Sequence, residues 1–153
     1  MKLTTRGQYA SRAMLDLAER YHEGAVVIED IARRQGIPKK YLERLLLDLK
    51  GAGLVQSIRG RQGGYRLMRP PQEITLGEVV RAMEGPIAPL ACVDEDAPQP
   101  CDCPCADVCG LRTVWAEVRD AIAGVLDNTS LETVRQRAEK LREQQAGPAM
   151  YYI

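Results

Sequence analysis

A chain of 153 residues that is 45% hydrophobic, with no Phe and one Trp, can fill one core with Leu, Val, Ile, Ala and Met, as helical proteins do. No apolar run approaches the ~20 residues that cross a bilayer, and the opening MKLTTRGQYASRAM lacks the apolar stretch of a signal peptide. No membrane partner is therefore expected, and a cytoplasmic setting with reduced thiols is. The net charge of zero hides an asymmetry: residues 1–69 carry 14 Lys/Arg against 7 Asp/Glu, and residues 70–153 carry 7 against 14. A basic module suited to a polyanion is joined to a part with another task.

Thr4 or Thr5 can cap a first helix, in which Ala10, Ala13, Met14, Leu17 and Ala18 recur at helical spacing. It ends between Tyr21 and Gly24, and Val26–Val27–Ile28 reads as a short extended link. A second helix, Glu29 to Gln35, is stopped by Gly36. Pro38 suits the first turn of a third helix with the stripe Leu42, Leu45, Leu46 and Leu49, closed by Gly51 and Gly53. Two strand-like runs, Leu54 to Ile58 and Tyr65 to Met68, flank the hairpin tip Arg59-Gly60-Arg61-Gln62-Gly63-Gly64.

After Pro70–Pro71, Thr75 and Glu78 spell a capping box for a fourth helix reaching Glu84. Gly85 to Pro104 is rich in Pro, Cys and Asp and has no period, the mark of a functional loop or a disordered one. A long helix follows, with Leu111, Val114, Trp115, Val118, Ala121, Ile122 and Val125 along four turns, which predicts an oligomer seam. Asn128–Thr129–Ser130 caps a last helix carrying Leu131, Val134, Ala138 and Leu141, and the tail from Gln144 is expected to be weakly structured.

Two helices joined by a Gly-containing turn and followed by a hairpin describe a winged helix-turn-helix, with the third helix as the reader of double-stranded DNA. Its leucines face inward, leaving Lys40, Glu43, Arg44 and Leu47 outside. Lys40 and Arg44 lie near the helix start, placed for guanine edges or phosphates. Glu43 can accept from a cytosine amino group and is the residue best suited to add sequence preference. The wing arginines Arg59, Arg61, Arg66 and Arg69, with no acidic residue between Gln56 and Arg69, suit phosphate or minor-groove contact. Lys39 and Lys50 fit DNA contact and a solvated helix face equally well. No Gly-Lys-Ser/Thr follows the glycines, so a nucleotide loop is a weak alternative.

The second half carries the other chemical signal. Cys101, Cys103, Cys105 and Cys109 fall within nine residues, with Cys92 upstream. Crowded thiolates suit iron–sulfur or zinc chemistry. Their spacing is tighter than a zinc ribbon and contains no Cys-x-x-Cys redox pair, and a Pro/Asp-rich loop is not where inert cysteines bury themselves. An iron–sulfur cluster is the leading reading, with structural zinc and a metal-free thiol switch open behind it. Acidic neighbours Asp94, Glu95, Asp96, Asp102 and Asp107 would disfavour an extra electron there. His22 is expected as a surface residue and Trp115 as packing between subunits. One His, no acid pair in a plausible pocket and no cofactor loop leave an enzyme as a remote alternative.

The segments MKLTTRGQYASRAMLDLA, IPKKYLERLL, SIRGRQGGYRL and LGEVVRAMEG, with the closing Cys109, Arg112 and Trp115 as Cys-x-x-Arg-x-x-Trp, resemble the bacterial Rrf2 family of winged-helix regulators, closest to its IscR-like branch. The resemblance spans about residues 1–135. It implies a homodimer crossing through the long helix, a palindromic operator, and a cluster held by three cysteines, which by position are Cys92, Cys103 and Cys109. It also implies that Glu43 tunes operator choice. A [2Fe–2S] cluster is favoured over [4Fe–4S]. The chain departs from the pattern where one branch places a ligating His, here Arg112, and where another places an Asp, here Gln8. Cys101 and Cys105 are extra, so either can complete an all-sulfur site, and either could displace Cys103. The expected layout is mainly α: a winged helix-turn-helix domain over 1–70, a linking helix and cluster loop over 71–108, dimerisation helices over 109–144 and a flexible tail over 145–153.

Overall fold

The computed structural model describes residues 2–104 and 106–146; Met1, Cys105 and the segment 147–153 lie outside the described residues. The chain builds α1 (Thr5–Glu19), α2 (Ile28–Gln35), α3 (Lys39–Gly51), β1 (Val55–Ile58), β2 (Gly64–Leu67), α4 (Leu76–Glu84), α5 (Gly110–Asp127) and α6 (Leu131–Ala146). Single 3₁₀ turns stand at Tyr21–Glu23, Ala91–Val93 and Ala106–Val108. The fold is mainly α with a two-stranded wing.

Thr4 caps α1 by accepting from the Gly7 amide, and the same amide donates to Glu84 Oε1 of α4 at 3.0 Å. A Cβ on Gly7 would lie 2.3 Å from that oxygen, so a side chain here would push the Glu84 carboxylate off the amide. Ala10, Ala13, Met14 and Leu17 turn inward against Ile31 of α2 and Leu42, Leu45, Leu46 and Leu49 of α3. Val55, Leu67, Ile74, Val79 and Leu131 close the same core. Each such side chain removed from water contributes about 2 kcal/mol.

One charge is buried in this head. Asp16 of α1 takes a two-pronged hydrogen bond from Arg34 of α2 (2.9 and 2.7 Å), a third from Gln35 (3.1 Å) and an ion pair from Arg20 (3.3 Å). Burial pushes the Asp16 carboxyl up, but Arg34, Gln35 and Arg20 outweigh it and hold it below the usual aspartate range. The node fixes α2 against α1.

The wing is antiparallel, with Val55 opposite Leu67 and Ile58 opposite Gly64. Val26 joins it through paired 2.8 Å bonds with Tyr65, whereas Ile28 already belongs to α2. The extended link is therefore shorter than its apolar run suggested. At Gly64 a Cβ would meet the Val26 carbonyl oxygen at 2.3 Å, so this close crossing requires glycine.

The capping box is formed: the Glu78 amide donates to Thr75 Oγ1 (3.2 Å) and the Thr75 amide to Glu78 Oε2 (2.9 Å). Arg81 of α4 grips Asp127 of α5 through two bonds of 2.5 and 2.9 Å. Ser130 caps α6 by accepting from the Thr133 amide at 3.1 Å. The helix continues through Gln144 to Ala146, past the point where a loose tail was expected. Arg142 pairs with Glu19 at 2.6 Å, laying α6 on α1.

α5 differs from the other long helices in having no buried residue in the single chain. Leu111 is 71% exposed, Val114 54%, Trp115 39% and Val125 66%. An apolar stripe of this length in water marks an interaction surface rather than a solvated face.

Candidate functional site

The head presents the outer side of α3 and the wing tip together with the start of α1. Lys40, Glu43, Arg44 and Leu47 are exposed on α3, as the leucine stripe required. Lys39 is also exposed, but it pairs with Glu29 at 2.5 Å and lies 4.0 Å from Glu43. The Glu29 hydrogen bond holds the Lys39 ammonium above its ordinary range and, reciprocally, holds Glu29 below its own. Part of the Lys39 charge is thus already spent within the protein.

An open groove is lined by Arg6, Pro38, Lys40, Tyr41, Arg44 and Asp48. Arg6 enters from the first turn of α1 and is held by Asp48 of α3 at 3.0 Å. Tyr41 stacks edge-on against Tyr9 at 5.7 Å, and Arg12 lies over the other side of that cluster, 5.5 Å from the Tyr9 ring. Neither Arg6 nor Tyr41 was singled out from the sequence. A cation at the start of a helix gives no sign that it will lie beside another helix 40 positions on.

The four wing arginines divide. Arg59 and Arg61 stand exposed at the tip, free of ion pairs among the described residues. Arg66 donates to the Gln56 amide oxygen across the strands at 2.9 Å. Arg69 is tied to Glu78 at 2.5 Å and to the Glu73 carbonyl at 2.8 Å. Arg69 therefore anchors the wing to α4, a structural task that its place in a basic run concealed.

The cysteine loop is fastened to α5. Cys92 sits half-buried in the Ala91–Val93 turn, beside the buried Val93. Arg119 of α5 donates to the Val93 carbonyl at 2.6 Å and pairs with Glu95 at 3.3 Å and Asp120 at 2.7 Å. The Gln99 amide returns to the Ala91 carbonyl at 3.0 Å, closing a compact turn after Cys92. Cys109 stands at the N-cap of α5, where its carbonyl accepts from the Arg112 amide at 3.2 Å.

Cys92, Cys101, Cys103 and Cys109 are all free of disulfides. The Cys103 side chain, and to a smaller extent Cys92, holds the Cys101 thiol below the ordinary thiol range. Cys105 lies outside the described residues. Among the described residues, no three His, Cys, Asp or Glu side chains converge on a single-ion site. The donor chemistry, soft and partly exposed thiols, is of the kind that suits an iron–sulfur cluster. Of the positions where a nitrogen or oxygen ligand was considered, Arg112 is exposed and Gln8 donates to the Leu3 carbonyl at 3.0 Å. His22 is exposed in the head, stacked on Tyr21 at 5.2 Å.

No helix among the described residues is long and apolar enough to cross a membrane. The family model described as an iron-dependent transcriptional regulator, Rrf2, matches residues 3–137. The HTH-type transcriptional regulator IscR of Aliivibrio salmonicida is 41% identical over 131 residues, covering 86% of this chain and 75% of its own. The solved structure of IscR from T. potens superposes with a TM-score of 0.75 at 36% identity, covering 99% of this chain and 95% of that one. That of CymR, described as the global cysteine regulator of B. subtilis, gives 0.74 at 39% identity, covering 90% and 98%. A winged head with a basic reading face, in a chain so closely matched by regulators and not by enzymes, belongs to the Rrf2 family of DNA-binding transcriptional regulators.

Proposed function

We propose that the chain acts as a homodimer whose two winged heads bind a palindromic operator, with the cysteine loop carrying an iron–sulfur cluster that reports cluster supply or redox state. The observation that carries this reading is the turn holding Cys92, clamped by Arg119 to the helix that Cys109 caps and that bears the exposed apolar stripe. The matching family model, described as iron-dependent, supports it.

Cys92, Cys103 and Cys109 would hold the cluster, which supplies reversible one-electron chemistry and a ligand tie between the loop and the start of α5. The nuclearity we propose is [2Fe–2S], ahead of [4Fe–4S]. A cluster held there would tie Cys92 to Cys109, and Arg119 and the Arg81–Asp127 pair would pass the order of the loop to α5 and α4. Because α4 caps α1 through Glu84, the spacing of the two heads follows.

The test is the absorbance spectrum of anaerobically purified protein, with iron, sulfide and zinc measured per chain. Brown protein with matched iron and sulfide is expected. Colourless protein with one zinc per chain would replace the cluster by a structural metal. A thiol switch is a second reading, favoured by the partly exposed thiols of the loop and by the likeness to CymR, described as a global cysteine regulator. It predicts metal-free protein whose DNA affinity changes on thiol oxidation and recovers on reduction.

A further inference from the structure

The open groove beside α3 brings together residues from two helices far apart in sequence. Arg6 enters it from the first turn of α1, and Lys40, Tyr41, Arg44 and Asp48 line it from α3. Three cations there face one carboxylate, and that carboxylate is already committed: Asp48 accepts from Arg6 Nη2 at 3.0 Å. Asp48 stands four residues after Arg44, the spacing of a helical ion pair. It pairs across to Arg6 instead, and leaves Arg44 exposed with no ion pair among the described residues. Lys40 is exposed and likewise unpaired among them. We propose that Arg6, Lys40 and Arg44 form a seat for one phosphodiester of the DNA backbone, and that Asp48 positions Arg6 in it.

The groove shares Lys40 and Arg44 with the outer side of α3, so a duplex lying along that helix also lies along the groove. Arg6 belongs to α1 and flanks the reading face, where backbone contacts fix register and orientation. Its ion pair engages one terminal nitrogen of a guanidinium with five N–H donors in a planar fork, so donors remain for phosphate oxygens. With the Arg6 side chain 44% exposed and that of Asp48 39%, the pair adds little to stability. Its effect is to hold a long side chain in one place before DNA arrives, which lowers the ordering cost of binding. The wall beside it is fixed as well: Tyr41 packs edge-on against Tyr9 at 5.7 Å, and Arg12 covers the Tyr9 ring at 5.5 Å. The seat is independent of the cysteine loop and of any metal bound there.

The experiment is a double-mutant cycle on the full chain: wild type, Arg6→Ala, Asp48→Asn and the double variant. Each is titrated by fluorescence anisotropy, over a range of salt, against two duplexes of about 30 base pairs and unrelated sequence. Far-UV circular dichroism and thermal melting check folding, and sedimentation checks the assembly state. Arg6→Ala is expected to bind both duplexes about ten-fold more weakly, by the same factor, because a phosphate contact carries no sequence information. Arg6→Gln, which keeps a polar stem and removes the charge, is expected to follow it. Asp48→Asn removes a negative charge, and long-range electrostatics alone would tighten binding. Positioning predicts the opposite: about three-fold weaker binding with Arg6 present, and no weakening in the Arg6→Ala background. Unchanged or tighter binding by the single Asp48→Asn variant would overturn the positioning role. Wild-type affinity in both Arg6 variants, or a loss confined to one duplex, would overturn the phosphate seat. A fall in solution mass in the Arg6 variants would make the groove a contact between copies and would overturn it too.

Discussion

Asp16 has no surface in contact with water, yet it carries the cations of Arg34 and Arg20 and so couples α1 to α2. Removing one partner of a buried pair costs about 3 kcal/mol, and Asp16→Asn is expected to lose that order of stability in urea unfolding. Its folded carboxyl lies below the ordinary value of 3.8, so the unfolded chain takes up the proton first as pH falls. The contribution is therefore complete above about pH 5 and drains away as the pH drops through the carboxylate range. The Asn variant should show a flatter stability profile there. Unfolding midpoints measured across acid pH check both statements. Among the exposed cations, Arg6 and Arg69 make opposite predictions. Arg6→Ala is expected to weaken DNA binding and reduce the salt slope by about one counterion. Arg69→Ala, which breaks the Glu78 tie, is expected to leave that slope unchanged and to lower thermal stability.

At the scale of elements, α5 is the part most incomplete in one chain. Its exposed Val114 lies on the seam, so Val114→Lys places a charge in each copy of the interface at a cost of several kcal/mol. Halving of the solution mass by sedimentation, with helicity retained, is the expected result. Arg119→Ala should loosen the turn at Ala91–Val93, seen as faster amide exchange over residues 91–99 with the head unaffected.

The elements themselves were largely legible in the chain. The capping box at Thr75, the Gly36 stop and the leucine stripe of α3 are local signals, and local hydrogen bonds answer them. Contacts that bind element to element were not. Glu84 capping α1, Arg6 beside α3 and Arg119 on Val93 each join residues far apart in sequence, and only packing brings them together. The same limit hid the partners of Arg66 and Arg69, since a run of cations does not reveal which of them is tied to a neighbouring element. At the cysteine loop the sequence supplied the thiols but not their neighbours. The clamp of Arg119 on the Ala91–Val93 turn that holds Cys92 depends on how a loop without periodicity folds back.

Across the whole molecule, the basic half is the winged head, and the acidic half carries the cysteine loop and the exposed apolar helix α5. Residues 70–153 carry 14 acidic against 7 basic side chains, which keeps the cysteine loop and α6 from competing for DNA phosphate. The connection between the halves runs from Cys92 through Arg119 to α5, through Asp127 and Arg81 to α4, and through Glu84 to the start of α1. In the function proposed above, this chain of named bonds is what carries the state of the loop to the heads. The most direct measurement is a titration of one operator duplex, at fixed salt, with the cluster-loaded protein and with the same preparation after anaerobic cluster removal. The account predicts different affinities and different footprints for the two forms. Superimposable binding curves and footprints would contradict it.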